Sequence, residues 1–552
     1  MNLRSSAVMA ALLAVAACHP APRADLVIYG RVWTGNPETP WAQAAVIAGD
    51  TVLAVGDSAD LVRYVGKATR QIHNGDGLVA PGFMDGHVHL LEGGFSLSHI
   101  DLRETNAPEE FIARIKAYAA TLRPGQWITD GNWDHERWPG APLPRRDWID
   151  SVTPENPVFI SRLDGHMWLA NSATMKLAGI TPATPDVPGG TIVRDPRTGS
   201  PTGILKDNAH DLVETIRPAE SPVEDDSALT HALDYAVARG VTAVASVSST
   251  WREFGALQRA RTAGRLTVRV AVYDSLRDWR RVADTVAARG SGDDWIRLAG
   301  VKGYVDGSLG STTALFYEPY ADAPNTRGLM VTLEDSLRAW IAAADSAGLQ
   351  VAVHAIGERA NGLLLDIYDS VVRAHGQRDR RFRIEHAQHL RREDIGRIGA
   401  MGVIASMQPY HVIDDGRWAE KRIGPERIKT TYAFRSLLTR SAHLGFGSDW
   451  TVAPMDPVLG IYAAVTRRTL DGRNPEGWVP EEKITVEEAL RSYTYENAYA
   501  VFAEEKRGML KPGYLADVVV LDRDITRIPA PEIELARVRW TIVGGKVVFE
   551  RK

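Results

Sequence analysis

The sequence predicts an α/β protein: a (β/α)8 TIM barrel with a large insertion after strand 1, plus a small β-sandwich built from both termini. Three observations predict it. Eight short, buried-looking runs recur between residues 79 and 504, often followed by helical periodicity, which is how parallel βα units read. The gap between the first and second runs is far too long for an ordinary βα loop. Short alternating strands also stand at each end of the chain.

At 552 residues the chain exceeds one ordinary hydrophobic core, although a barrel with insertions uses most of such a length. Its 44% hydrophobic and 24% charged residues are those of a globular protein, and a formal charge of -5 leaves no basic excess to grip nucleic acid. Residues 1–17 carry Arg4, an apolar stretch from Ala7 to Ala16 and small residues after it, the pattern of a secretion signal. That stretch is too short to span a bilayer. Val15-Ala16-Ala17-Cys18 is similar to a bacterial lipobox, and Cys18 is the only cysteine, so disulfides within the chain are excluded. The expectation is a lipidated Cys18 heading a tether over residues 18–24, contact with the membrane through that lipid alone, and residence in the bacterial cell envelope, in the periplasm or at the outer membrane. A secreted form cut nearby is the other reading of the same residues.

Residues 25–78 offer Leu26–Tyr29, Ala45–Ile47 and Val52–Val55, with turns such as Gly49-Asp50, and residues 505–552 answer with Ala516–Leu521 and Trp540–Phe549 around a Gly544-Gly545 hairpin. Together they predict the sandwich. The barrel is assigned to residues 79–100 and 226–504, with strands at Gly82–Gly86, Thr242–Val247, Val268–Tyr273, Leu298–Tyr304, Gln350–Ala355, Phe382–His386, Val403–Met407 and Leu444–Ser448. Residues 101–225 form the insertion over the site. It holds Trp127, Trp133, Trp138, Trp148 and Trp168, large aromatics that fill cores and can also wall a pocket.

His87 and His89 lie two residues apart on an extended segment, so both rings project from one face and can reach one metal ion. Alone, such a pair also fits a packed histidine beside a polar loop. The later strand ends add Lys302, His354, His386 and Asp449, and a barrel aims these positions at a common centre. Each has an ordinary reading singly: a core histidine, a helix cap at Asp449, a salt bridge from Lys302 to Asp306. Their shared register with the counted strands points to a metal site.

Pro81-Gly82-Phe83-Met84-Asp85-Gly86-His87-Val88-His89, Asp164-Gly165-His166, Lys302 through Asp306-Gly307-Ser308, His354-Ala355-Ile356-Gly357, Glu385-His386-Ala387-Gln388 and Gly447-Ser448-Asp449 carry a resemblance. The chain resembles the metal-dependent amidohydrolase superfamily, and within it the branch of N-substituted formamide deformylases. The resemblance implies one or two divalent ions, with zinc expected, held by His87, His89, His354 and His386. It implies a Lys302 carboxylated by carbon dioxide as a bridge, or a single ion with Lys302 as a charge partner. Asp449 would then carry a proton from the attacking water to the leaving nitrogen. His166 would touch the substrate or its oxyanion, while Trp133, Gln408 and Trp450 are candidate pocket walls. The implied activity is hydrolysis of a carbon–nitrogen bond in a small non-peptide amide. An esterase, lactonase or organophosphate hydrolase would use the same site, and an envelope lipoprotein that only binds is the reading from a different class. A homodimer is compatible with the sequence.

Overall fold

The computed structural model describes residues 23–552, so the signal segment and Cys18 lie outside the described residues. The chain opens with β1 (Leu26–Trp33), β2 (Trp41–Ala48), β3 (Thr51–Gly56) and β4 (Arg70–Pro81). Alternation along β1 sends Leu26 and Ile28 into one apolar cluster and Val27 into another, so both faces of this region are covered. β4 stays in the terminal sheet as far as Pro81, which pairs with Val518, and β5 (Phe83–Val88) then starts the barrel. The sheet thus runs three residues past the boundary expected at 78.

The insertion contributes β6 (Ile100–Asp101), β7 (Ile128–Trp133), β8 (Val158–Arg162), β9 (Met167–Ala170), β10 (Gly190–Arg194) and β11 (Pro201–Asp207). They make a sheet of their own in the order β10-β11-β9-β8-β7-β6. Its core is aromatic, with Phe111, Trp133 and Trp138 buried together.

The barrel resumes with β12 (Val241–Ser249), β13 (Arg269–Ser275), β14 (Ile296–Tyr304), β15 (Gln350–Ala355), β16 (Arg383–His386), β17 (Ile404–Met407) and β18 (His443–Phe446). All pair in parallel from β5 round to β18, and all eight predicted runs overlap them. Strands buried on both faces read as continuous apolar runs, which is why they were legible. Closure between β18 and β5 comes at their C-terminal ends. A parallel bridge joins Val88 to Trp450, Asp449 N–H donates to the His87 carbonyl at 2.8 Å, and His89 N–H donates to the Trp450 carbonyl at 2.8 Å. The seam of the barrel therefore carries the candidate site.

β19 (Val518–Leu521), β20 (Val538–Val543) and β21 (Lys546–Glu550) return to β4. The termini do combine, in the strand order β21-β20-β19-β4-β1-β2-β3, and the sheet curls back on itself so that Thr51 of β3 bridges Leu515 just before β19. Arg269 at the start of β13 holds Asp517, just before β19, through Nε at 2.8 Å and Nη2 at 3.1 Å, tying the barrel to that sheet. No helix among the described residues is long and apolar enough to cross a membrane.

Candidate metal centre

The strand ends bring His87, His89 and Asp449 together, with their candidate ligand atoms all within 4.8 Å of one another. Asp449 Oδ1 lies 3.3 Å from His87 Nε2 and 3.2 Å from His89 Nε2. His386 stands beside them, its ring centre 4.9 Å from that of His87, and His354 follows at 4.5 Å from His386. Lys302 is buried on β14 with its ammonium 4.6 Å from the centre of the Tyr304 ring. It forms no salt bridge with Asp306. That carboxylate instead accepts backbone N–H groups from Leu315, Ile356 and Gly357 at 2.7–3.0 Å, and burial lifts its pKa to about 7 against those bonds.

His87, His386 and His354 are oriented from behind. His87 Nδ1 donates to Glu385 Oε2 at 2.6 Å, and Glu385 is gripped by Arg383 at 2.7 and 3.1 Å while Arg383 also donates to the Gly86 carbonyl at 2.7 Å. His386 Nδ1 donates to Gln408 Oε1 at 2.8 Å, and His354 Nε2 donates to the Gly307 carbonyl at 3.1 Å. These bonds leave His87 Nε2, His386 Nε2 and His354 Nδ1 for the centre. His87 Nε2 is fully buried yet has no hydrogen-bond partner. A buried ring nitrogen stranded beside a carboxylate and further histidines is the donor arrangement of a divalent-cation site, so the residues fit the metal the sequence predicts.

At two of the histidines the electrostatics agree. Burial holds His354 and His386 far below the ordinary histidine range, keeping them in the neutral form that can ligate. Burial works against ionisation of Asp449 and Glu385, but the charge of His87 beside Asp449 and of Arg383 beside Glu385 holds both carboxyls well below the usual range. His386 (φ 77°) and Asp449 (φ 56°) both adopt the left-handed region, a local strain that turns their side chains inward at the strand ends.

His166 reaches this centre from the insertion, with its ring 4.9 Å from that of His354 and its Nδ1 held by Asp207 Oδ1 at 2.7 Å. Asp164 docks the turn that carries it: Arg162 Nη1 donates to Asp164 at 2.5 Å, Ser311 Oγ donates at 3.0 Å, and Ser308 Oγ also donates. A cavity of about 590 Å³ opens above, walled by Phe95, Phe159 and Trp168 and floored by the histidines, Lys302 and Asp449.

The structure corrects three expected walls. Trp133 is fully buried in the insertion core, where Nε1 donates to the Ile160 carbonyl at 3.1 Å, because the pleat of β7 turns it away from the cavity. Gln408 is also fully buried and sits behind His386 as its hydrogen-bond acceptor. Trp450 packs outward, stacked on Tyr235 at 4.8 Å. Trp168, expected only as one of a crowd, supplies the aromatic wall. Glu385 and Arg383 carried no expected role. Their signal was two charged residues at i and i+2 in a short strand otherwise destined for burial.

Comparison with known proteins places these features. The chain is 39% identical over 536 residues to Protein LONG AFTER FAR-RED 3 of Arabidopsis thaliana, covering 95% of this chain and 91% of that one. It is 27% identical over 544 residues to the N-substituted formamide deformylase of Arthrobacter pascens, covering 95% and 98%. An uncharacterized metal-dependent hydrolase from Pyrococcus horikoshii superposes with a TM-score of 0.73 at 29% identity, over 92% of this chain and 99% of that one. The model of the amidohydrolase family matches residues 75–549, the whole barrel with its insertion and the C-terminal strands of the terminal sheet, and the chain belongs to that family.

Proposed function

We propose that this metal-dependent hydrolase cleaves the carbon–nitrogen bond of a small non-peptide amide. The observation that carries the reading is the convergence of His87, His89, His354, His386, Lys302 and Asp449 on one centre, with His87 Nε2 buried, without a hydrogen bond and 3.3 Å from Asp449 Oδ1. The histidines would hold one or two divalent ions, zinc above all, with a carboxylated Lys302 as the bridge between two. A bound ion supplies Lewis-acid polarisation of the carbonyl and acidifies a water towards neutrality.

The chain's own residues do the rest. Asp449 Oδ1, already within 3.3 Å of both His87 Nε2 and His89 Nε2, accepts the attacking water's proton and returns it to the leaving nitrogen. His166, aligned by Asp207, donates to the oxygen on which charge develops. Phe159 and Trp168 shelter the apolar part of the substrate from water.

Metal analysis should find one or two ions per chain, and a panel of amide, ester and phosphotriester substrates should show the amides preferred. Asp449→Asn should lower kcat by roughly 100-fold or more while keeping most of the metal. A metal-free protein, or an unaltered kcat in the variant, sinks the reading.

A further inference from the structure

The parallel strands put the metal centre at their C-terminal ends, and the opposite end, the foot of the barrel, gathers four arginines. Arg269 opens β13, Arg297 stands near the start of β14, Arg381 precedes β16, and Arg507 follows the helix Tyr495–Ala500. Lys302 lies on the same strand as Arg297, about 16 Å further along it. The foot is therefore remote from the reaction centre.

Two of the four arginines have a carboxylate. Arg269 Nε and Nη2 hold Asp517 at 2.8 and 3.1 Å, and Arg381 holds Glu504 at 2.8 and 2.6 Å. The other two have none. Arg297 Nη1 donates to the carbonyls of Val501 at 2.7 Å and Phe502 at 3.4 Å, but its Nε is buried without a partner, and among the described residues no carboxylate oxygen lies within 4.0 Å of its guanidinium. Arg507 ends the turn that Arg297 grips. Its side chain makes no hydrogen bond or ion pair among the described residues, its Nε is buried, and only 9% of the residue is exposed. The nearby carboxylates are already engaged, for Asp517 also accepts Gly544 N–H at 2.8 Å and Asp294 is held by Lys506 at 3.1 and 3.0 Å.

A buried guanidinium without a counter-charge is costly, because nothing offsets its lost hydration. Burial draws the Arg507 pKa down from 12.5 to about 10, and the like charges of Arg269 and Arg297 push the same way. The planar fork of an arginine matches the paired oxygens of an oxyanion. A residue 9% exposed is within reach of a free ion but too deep for a headgroup fixed in a membrane.

We propose that Arg297 and Arg507 bind a free tetrahedral oxyanion, of the sulfate or phosphate class, at the foot of the barrel. The ion supplies the missing counter-charge and fastens residues 501–507 to β14, where the chain leaves the barrel for the terminal sheet.

The test follows thermal unfolding of the zinc-loaded full chain at constant ionic strength, with sodium gluconate replaced by sulfate, phosphate or chloride. Sulfate and phosphate should each raise Tm by roughly 1 °C per tenfold rise in concentration above Kd, and chloride by less. Arg507→Met should lose the sulfate response while its Tm in gluconate equals or exceeds the parent's, since an apolar chain of similar length replaces a buried charge. Selenate in crystals of the parent should give an anomalous peak between the two guanidinium groups. Should Arg507→Met not fold, Arg507→Lys keeps the charge without the fork, and calorimetry should show sulfate binding weakened about tenfold. An equal shift with chloride overturns the oxyanion class. A sulfate response retained in Arg507→Met, or unchanged affinity in Arg507→Lys, overturns the site. A Tm lowered equally in every salt makes Arg507 a structural arginine, and a selenate peak without a shift in solution means an adventitious ion only; either overturns the proposal.

Discussion

At the scale of single residues, the centre depends on groups that never face the substrate. Glu385 is fully buried and would be costly there as a free anion, yet Arg383 and His87 surround it, and its bond to His87 Nδ1 fixes both the tautomer and the direction of Nε2. Glu385→Gln should weaken metal affinity roughly 10- to 100-fold, read by competition with a chromogenic chelator. Unchanged affinity would mean that His87 is oriented by its backbone alone. Asp415 makes a different prediction. Burial lifts its carboxyl to about 7 against the hydrogen bond from Tyr432, so the folded state holds a proton that the unfolded chain gives up near 3.8. Its contribution to stability is complete below about pH 4 and is lost as pH rises through 7. Urea denaturation at several pH values should show that decline between pH 4 and 7 in the parent and a shallower one in Asp415→Asn. Parallel curves would refute the assignment.

At the scale of elements, the closing seam decides whether the site forms. The helix Leu90–Ser96 leaves directly from His89 and lies against Trp450, and a Cβ on Gly93 would meet the Trp450 ring at 2.4 Å. Trp450 cannot move freely because it stacks on Tyr235 and bridges Val88. Gly93→Ala should therefore cost about 1–3 kcal/mol of stability, seen as a lower urea midpoint, and should also depress kcat because Asp449 is the adjacent residue. A variant with parental midpoint and kcat would show that the seam tolerates repacking. The seam also explains which strand predictions were easiest. The pattern predicts β15 over Gln350–Ala355 residue for residue, and every residue of that strand is buried, whereas β18 ends at Phe446 although the apolar pattern extends to Ser448. Gly447 and Ser448 already belong to the turn that delivers Asp449.

At the scale of the whole molecule, the terminal sheet, the barrel and the insertion meet through specific polar contacts as well as apolar packing. Arg269 and Asp517 clamp the sheet to the barrel wall, while Asp164 carries the insertion's turn to Ser308 and Ser311. The second contact brings His166 to the metal centre. For the chain in its cell, we propose attachment to the envelope membrane through a lipid on Cys18, supported by Val15-Ala16-Ala17-Cys18 and the absence of any other cysteine. Cys18→Ser should move the protein from the membrane fraction to the soluble fraction. Unchanged fractionation would defeat that attachment.

The sequence by itself determined the barrel, the pairing of the chain ends, the existence of the insertion and the six residues that point at the centre. These follow from patterns local to each strand, because burial on both faces and a polar residue at the strand end are written within a few positions. What stands behind and around them came only with the fold: Glu385 behind His87, Gln408 behind His386, and Trp168 in place of Trp133 on the wall. The physical reason is that such roles depend on side-chain direction and on neighbours hundreds of residues away. His87 and Glu385 are 298 positions apart in the chain and 2.6 Å apart in the fold.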